Sequence, residues 1–120
     1  MDRKSNSAID LEQLNQISEG DIEFEIEVLQ VYIEDIMQRI DKIRGEFSSN
    51  DLAQVLREAH HIKGASSNVG ALQMQALAEQ IEKLDLNCDS EKILTILNDM
   101  LEKMKDIELF VAEKMAGFSS

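Results

Sequence analysis

The stretch AHHIKGASSNVG, residues 59–70, holds both histidines of the chain side by side, with a lysine and a glycine close behind. An imidazole beside an ammonium suits few kinds of chemistry. Two histidines that ligate one metal from a helix share a face, typically at i and i+4, whereas His60 and His61 are adjacent and diverge by about 100°. Zinc is disfavoured on that ground. A serine or cysteine nucleophile activated by His60 needs a third, orienting group and an oxyanion hole, and the chain shows no strand-to-helix elbow to build one. Lys63 offers a point charge with three donors to any anion carried on the imidazole, so the pair is better suited to phosphate than to metal. No glycine-rich loop followed by Lys and Ser or Thr is present, so a phosphoryl group has to come from a partner rather than from ATP bound by this chain.

The element that presents these residues is a helix. Leu52, Val55, Ala59, Ile62, Ser66 and Val69 repeat at three and four, which puts the histidine pair in mid-helix. His60 then shares a face with Ala53, Arg57, Lys63, Gly64 and Ser67, at the edge of the core stripe and open to solvent. His61 turns a further 100° or so away, among Gln54, Glu58, Ala65 and Asn68, on what reads as an ordinary solvated face. Gly64 costs roughly 1 kcal/mol relative to alanine in a helix interior, and an isolated glycine there has a packing or functional reason. One turn from His60, that reason is room for another molecule to approach. A histidine without a role would leave Gly64 and Lys63 unexplained. From Asp51 to Gly70 the two acids Asp51 and Glu58 balance the two bases Arg57 and Lys63, a neutral strip in a chain of net charge −12.

Around this helix the composition is helical throughout. The 120 residues, 43% of them hydrophobic, suffice for one domain with one core, and they include no proline and only five glycines. A net charge of −12 repels phosphate backbones and anionic lipid, which argues against nucleic acid or membrane surfaces as partners. No apolar run approaches the roughly 20 residues of a membrane span, and MDRKSNS lacks the apolar core of a secretory signal. Cytoplasmic residence is the default expectation. The single cysteine, Cys88, reads as an inert loop thiol with no partner for an intramolecular disulfide.

Asp10 with Gln13 looks like a capping box for a short helix, Leu11 to Ser18, closed by Gly20. Asp21 caps a long second helix to about Phe47, with Ile22, Ile26, Leu29, Ile33, Ile36, Ile40, Ile43 and Phe47 on one stripe. Ser49 or Asn50 caps the histidine helix, Gly70 bends the chain, and a fourth helix follows over Leu72 to Leu86. After the turn LNCDS, Ser90 caps a fifth helix, and the tail AGFSS is expected to fray. Met37, Met74, Met100 and Met104 read as core filler. Four long amphipathic helices with short loops pack most simply as an antiparallel up-down-up-down four-helix bundle, an all-α fold with the short first helix lying across one end. Residues 8–115 form the expected domain, with 1–7 and 116–120 as flexible termini. Phe24, Val28 and Tyr32 form a second apolar line on the second helix, to be covered in part by Leu11, Leu14 and Ile17 and otherwise left for a docking partner.

The string His60-His61-Ile62-Lys63-Gly64-Ala65-Ser66-Ser67, with Gly70 and Ala71 following, closely resembles the HxxKG(S/A)S...G signature of histidine-containing phosphotransfer (HPt) domains. The stretches EGDIEFEIEVLQVYIED and LQMQALAEQIEKL are similar to the lead-in and following helices of that family, so the resemblance spans about residues 8 to 115. It implies a phosphorelay intermediate in which His60 is the phosphoryl acceptor, Lys63 stabilises the phosphate, Gly64 admits the partner and Glu82 orients the imidazole. Glu82 on Nδ1 would leave Nε2 as nucleophile. The implied partners are a response-regulator receiver domain, which brings its own aspartate and Mg²⁺, and a histidine kinase or hybrid kinase. The chain itself is expected to need no cofactor or metal, to be no enzyme in its own right, and to act as a monomer. Phe24, Val28, Arg57 and Ser67 are the expected docking residues. A bundle that binds a receiver or kinase without chemistry is the competing reading.

Overall fold

The computed structural model describes residues 8–87 and 89–119, and among them every regular element is a helix. These are α1 (Leu11–Ser18), α2 (Ile22–Ser48), α3 (Leu52–Val69), α4 (Leu72–Lys83) and α5 (Ser90–Ser119). Residues 1–7 and Cys88, for which the sequence suggested a flexible terminus and an inert thiol, lie outside the described residues.

Local chemistry sets the helix ends. Asp10 Oδ1 accepts from the backbone N–H of Glu12 at 3.0 Å and of Gln13 at 3.4 Å, satisfying donors that α1 leaves free. The box is not reciprocal, because the Gln13 side chain donates instead to the Ser67 carbonyl at 3.2 Å and ties α1 to α3. Asp21 caps α2 through the Phe24 N–H. Asp51, and not Ser49 or Asn50, caps α3: Asn50 turns the chain through a left-handed φ of 60°, which aims the next carboxylate at the Gln54 N–H. Gly70 closes α3 at φ 80°, where a Cβ would also lie 2.7 Å from the Asp10 carbonyl oxygen. That close approach lets Asp10 N–H donate to Gly70 O at 2.7 Å.

Two boundaries differ from expectation. α4 stops at Lys83, since Leu84 is extended; beyond it the Asp85 N–H donates to Asp89 Oδ2 at 3.1 Å and the Asn87 N–H to Asp85 Oδ1 at 3.1 Å. α5 includes Ser90 as its first residue and its helix runs on through Ala116 and Gly117 to Ser119.

The core follows from the stripes. α2 packs on α3 and α5, and α4 packs on the same two, closing a ring of four helices, while α1 rests on α2 and α3. Ile26, Leu29, Ile36, Ile40 and Ile43 of α2 meet Val55, Ala59 and Ile62 of α3, Met74 and Ile81 of α4, and Ile93, Leu97, Met100 and Met104 of α5 in one buried cluster. Ile22 is exposed and Ile33 and Phe47 only half-buried. A stripe spaced at strict threes and fours drifts by about 20° per heptad on a 3.6-residue helix, so a long one leaves the core at its ends, as it does at Ile22 and Phe47; the drift does not account for Ile33, which is mid-stripe. Met37, one residue past Ile36, is likewise exposed, not core filler. Of the second line on α2, Tyr32 is buried, Val28 half-buried and Phe24 exposed. α1 buries Leu14 but leaves Leu11 and Ile17 in solvent, so it covers less of that line than its sequence suggested.

Candidate functional site

Three side-chain pairs fix α3 against α2: Tyr32 with Ser66, Asp35 with His61, and Arg39 with Glu58. Ascending numbers on α2 meet descending numbers on α3. The Tyr32 hydroxyl and Ser66 Oγ are 2.6 Å apart and buried, which satisfies two groups that would each be costly alone. Burial pushes the Tyr32 hydroxyl up, so it stays a neutral donor or acceptor. With Ala59 and Ile62 fully buried, the intervening His60 must point outward, and 73% of its side chain is exposed.

α4 supplies the partner. Ile81 is wholly buried against the core, which swings the next residue, Glu82, to the edge facing α3. Its Oε2 lies 3.1 Å from His60 Nδ1, and its Oε1 lies 2.7 Å from Lys63 Nζ. One carboxylate therefore holds both groups. Burial alone would raise the Glu82 carboxyl, but the Lys63 ammonium at Oε1 and the His60 bond at Oε2 outweigh it and hold Glu82 below the ordinary carboxylate value of 4.5. Lys63 is raised above its ordinary value, first by its pairing with the Glu82 carboxylate. Because an ionised carboxylate only accepts, Nδ1 is the nitrogen that carries the proton whenever the His60 ring is neutral, which leaves Nε2 as the one with the lone pair. Gly64 faces open space: a Cβ there would meet nothing within 4 Å, so no internal contact demands a glycine.

His61 is exposed, as its position suggested, with 42% of its side chain in solvent, but it is not without a partner. Its Nε2 donates to Asp35 Oδ2 at 2.7 Å, Arg39 bridges Asp35 at 3.2 Å and Glu58 at 2.7 Å, and Gln54 adds a bond to Glu58 at 3.3 Å. Glu58, also expected in water, is 2% exposed. The step of about 100° past His60 leads toward α2, not away from the protein. Burial works to raise Asp35 and Glu58, yet their partners win and both carboxyls sit below their ordinary values. Glu46 goes the other way, raised by burial and by the charge of Glu58. The network occupies the one nitrogen of His61 that could match His60 Nε2.

The Hpt domain model matches residues 27–107, more than half of the chain and all of the residues just described. The chain belongs to the Hpt domain family. The phosphorelay intermediate protein rdeA of Dictyostelium discoideum is 26% identical over 98 residues, covering 82% of this chain. The chain spans only 39% of that relative's length. Among solved structures, histidine-containing phosphotransfer protein B (HptB) from Pseudomonas aeruginosa PAO1 superposes with a TM-score of 0.80 at 17% identity, covering 91% of this chain and 96% of that one. The HPT domain from a sensor hybrid histidine kinase of Shewanella gives 0.69 at 20% identity, with 94% and 97% covered. At those identities the likeness is one of fold.

Within this Hpt domain, Arg57, His60, Lys63, Gly64 and Ser67 share one face of α3, as their spacing required. Arg57 is exposed and donates to Gln54 Oε1 at 3.0 Å, while the Ser67 carbonyl is taken by Gln13. Phe24 and Val28 are further off. Asp35 stands level with the histidines, and Phe24 precedes it by eleven residues, about 16 Å along α2. A groove of about 510 Å³ between α4 and α5, lined by Gln80, Lys83, Leu84, Thr95 and Ile96 among others, contains neither His60 nor Lys63. Among the described residues no group of three or more His, Cys, Asp or Glu is placed to hold a metal ion, and no helix is long and apolar enough to cross a membrane.

Proposed function

We propose that this Hpt domain is a phosphorelay intermediate in which His60 accepts a phosphoryl group from a kinase or a receiver-domain aspartate and passes it to the aspartate of a response-regulator receiver. The observation that carries this reading is the exposed His60 imidazole with Nδ1 held by Glu82 and, among the described residues, no partner on Nε2. The lone pair of Nε2 attacks phosphorus in line, the bond from phosphorus to the donor oxygen breaks, and that oxygen keeps the electron pair. Lys63 offers charge to the phosphoryl oxygens, and Gly64 leaves the approach open. A ring on a convex helix face with no enclosing cavity fits a donor that is itself a protein surface, not a free nucleotide.

In this reading the kinase activity belongs to a partner, and the receiver brings the Mg²⁺ that neutralises charge at its aspartate. Arg57 and Ser67 beside His60, with Phe24 and Val28 toward the α1 end of α2, line the docking face. We further propose that α2 to α5 run up-down-up-down as a monomeric four-helix bundle, which the reversed pairing of α2 with α3 and the two-residue link Gly70–Ala71 support. The cytoplasm, where receiver domains and their Mg²⁺ are available, is the proposed location.

Incubation with a phosphorylated receiver should place an acid-labile, base-stable label on His60. A stable complex without any label would instead support a binding module that performs no chemistry.

A further inference from the structure

The seam between α2 and α5 stays open on its outer side. Ile33, in mid-stripe yet only half-buried, lies with Val111 and Met115 in a hollow of about 460 Å³. A second hollow of about 210 Å³ continues it past Ile26 to Phe118, and Gln30 and Met115 line both. Met115 is 41% exposed and Phe118 53%, so the floor of the seam is a run of apolar side chains in water. Its rim is acidic. Glu23, Glu27 and Glu34 of α2 and Glu108 of α5 line the hollows, and no lysine or arginine does. Among the described residues none of the four carboxylates is in an ion pair.

We propose that this seam is a second docking surface, shaped for a basic amphipathic helix of a partner protein. An apolar floor between carboxylate rims is complementary to a helix with an apolar stripe flanked by lysine and arginine. A second copy of this chain would bring its own carboxylates and a further net charge of −12 against the same rims, and anionic lipid would be repelled likewise. An extended segment is no better, because every regular element among the described residues is a helix and its backbone N–H and C=O groups would find no sheet edge to pair with. From Glu23 to Glu34 the rim runs eleven residues, about 16 Å, which matches roughly three turns of a partner helix.

α2 and α4 each pack on α3 and α5, so the α2–α5 seam lies across the core from the α3–α4 seam that carries His60 and Glu82. Both surfaces can be occupied together. The seam stands apart from the phosphorelay reading and adds to it a way to hold this domain on an assembly while the imidazole stays open to a receiver.

The probe is a fluorescein-labelled peptide of about 14 residues, with leucine at i, i+3, i+4 and i+7 and lysine or arginine on the flanks. Anisotropy titrations should saturate, and the methyl resonances of Ile33, Val111 and Met115 should shift while those of the His60 ring stay put. Glu27→Lys combined with Glu34→Lys should weaken binding at least about tenfold, and Met115→Ser by a similar factor. Asp106→Lys combined with Glu113→Lys makes the same change of net charge on the exposed outer side of α5, away from both hollows, and should weaken it less than about threefold. Circular dichroism verifies the fold of each variant. Equal weakening by the two double variants would reduce the attraction to net charge and overturn the proposal. Methyl resonances unmoved up to about 1 mM peptide would also overturn it, as would dimers in sedimentation that Met115→Ser dissolves, which would give the seam to a second copy. Labelling of His60 by a phosphorylated receiver should be unchanged at saturating peptide, and a label lost only when peptide is present would overturn the separation of the two surfaces. A His60 that takes no label even without peptide would overturn the phosphorelay reading and leave the seam to be judged on the peptide titrations.

Discussion

Replacing Arg39 by methionine isolates the network behind the histidines. Glu58 is 2% exposed and has two partners, Arg39 at 2.7 Å and Gln54 at 3.3 Å. Removing one member of a buried ion pair costs about 3–5 kcal/mol, because the other charge stays behind unpaired. Arg39 is itself 29% exposed and Gln54 remains in place, so roughly half of that, about 2 kcal/mol, is expected here. For a domain of this size such a loss lowers Tm by about 8 °C. The pH dependence gives the decisive signature. In the wild-type protein the folded Glu58 carboxyl lies below its ordinary 4.5, so its contribution is present above that value and is lost as pH falls through the folded one. Without Arg39, burial lifts the same carboxyl. The gap between variant and wild type should therefore be widest near neutrality and shrink below about pH 4. Urea titrations followed by far-UV circular dichroism at pH 7 and pH 3.5 measure both quantities. A loss under about 0.5 kcal/mol at pH 7, or one of equal size at both pH values, would show that Arg39 does not stabilise a charged Glu58.

Three further outcomes follow from the same geometry. His60→Gln should abolish labelling by a phosphorylated receiver with Tm unchanged within about 2 °C, whereas His61→Gln should keep the label and lose up to about 1 kcal/mol with its Asp35 bond; the opposite pattern would reverse the two roles. Gly64→Gln should fold with equal or greater helicity, since space is open there, yet transfer at least about tenfold more slowly; unchanged transfer kinetics would remove the access role of the glycine. Gly70→Ala should cost about 2 kcal/mol or more in thermal denaturation, because φ is 80° and the new Cβ would press on the Asp10 carbonyl at 2.7 Å; a neutral effect would mean that the α1 junction yields easily.

The helices and the outward face of α3 are legible in the sequence because they rest on short-range rules. Caps, turn residues and threefold-fourfold spacing act within a few residues, and they locate Asp10, Asp21, Gly70 and the orientation of His60. Asp51 escapes notice as a cap because Ser49 and Asn50 are equally good candidates until the left-handed Asn50 is seen. The Asp35–Arg39–Glu58 network is not legible for a different reason. Its members lie on two helices, 19 to 26 residues apart across the ladder, and only the rotation of α2 against α3 decides that they meet. A faint signal is present in Asp35 and Arg39, an i, i+4 pair of opposite charge one turn on from the apolar Val28 and Tyr32. Glu82 is reached through family resemblance and not through spacing, since nothing within α4 singles it out from Glu79. The structure separates them by aiming Glu82 at both His60 and Lys63, while Glu79 pairs with Lys83.

The early stop of α4 at Lys83 bears on how the site breathes. Glu82 belongs to the final turn, where backbone carbonyls lack helical partners and helices open first. The negative end of the helix dipole also falls there, close to the Lys63 ammonium. Opening of one turn, far short of unfolding, would unhook the imidazole and the lysine together. Just beyond that turn Leu86 is buried and the Asp85 N–H donates to Asp89 Oδ2 at 3.1 Å, contacts that anchor the chain where it leaves the helix carrying Glu82.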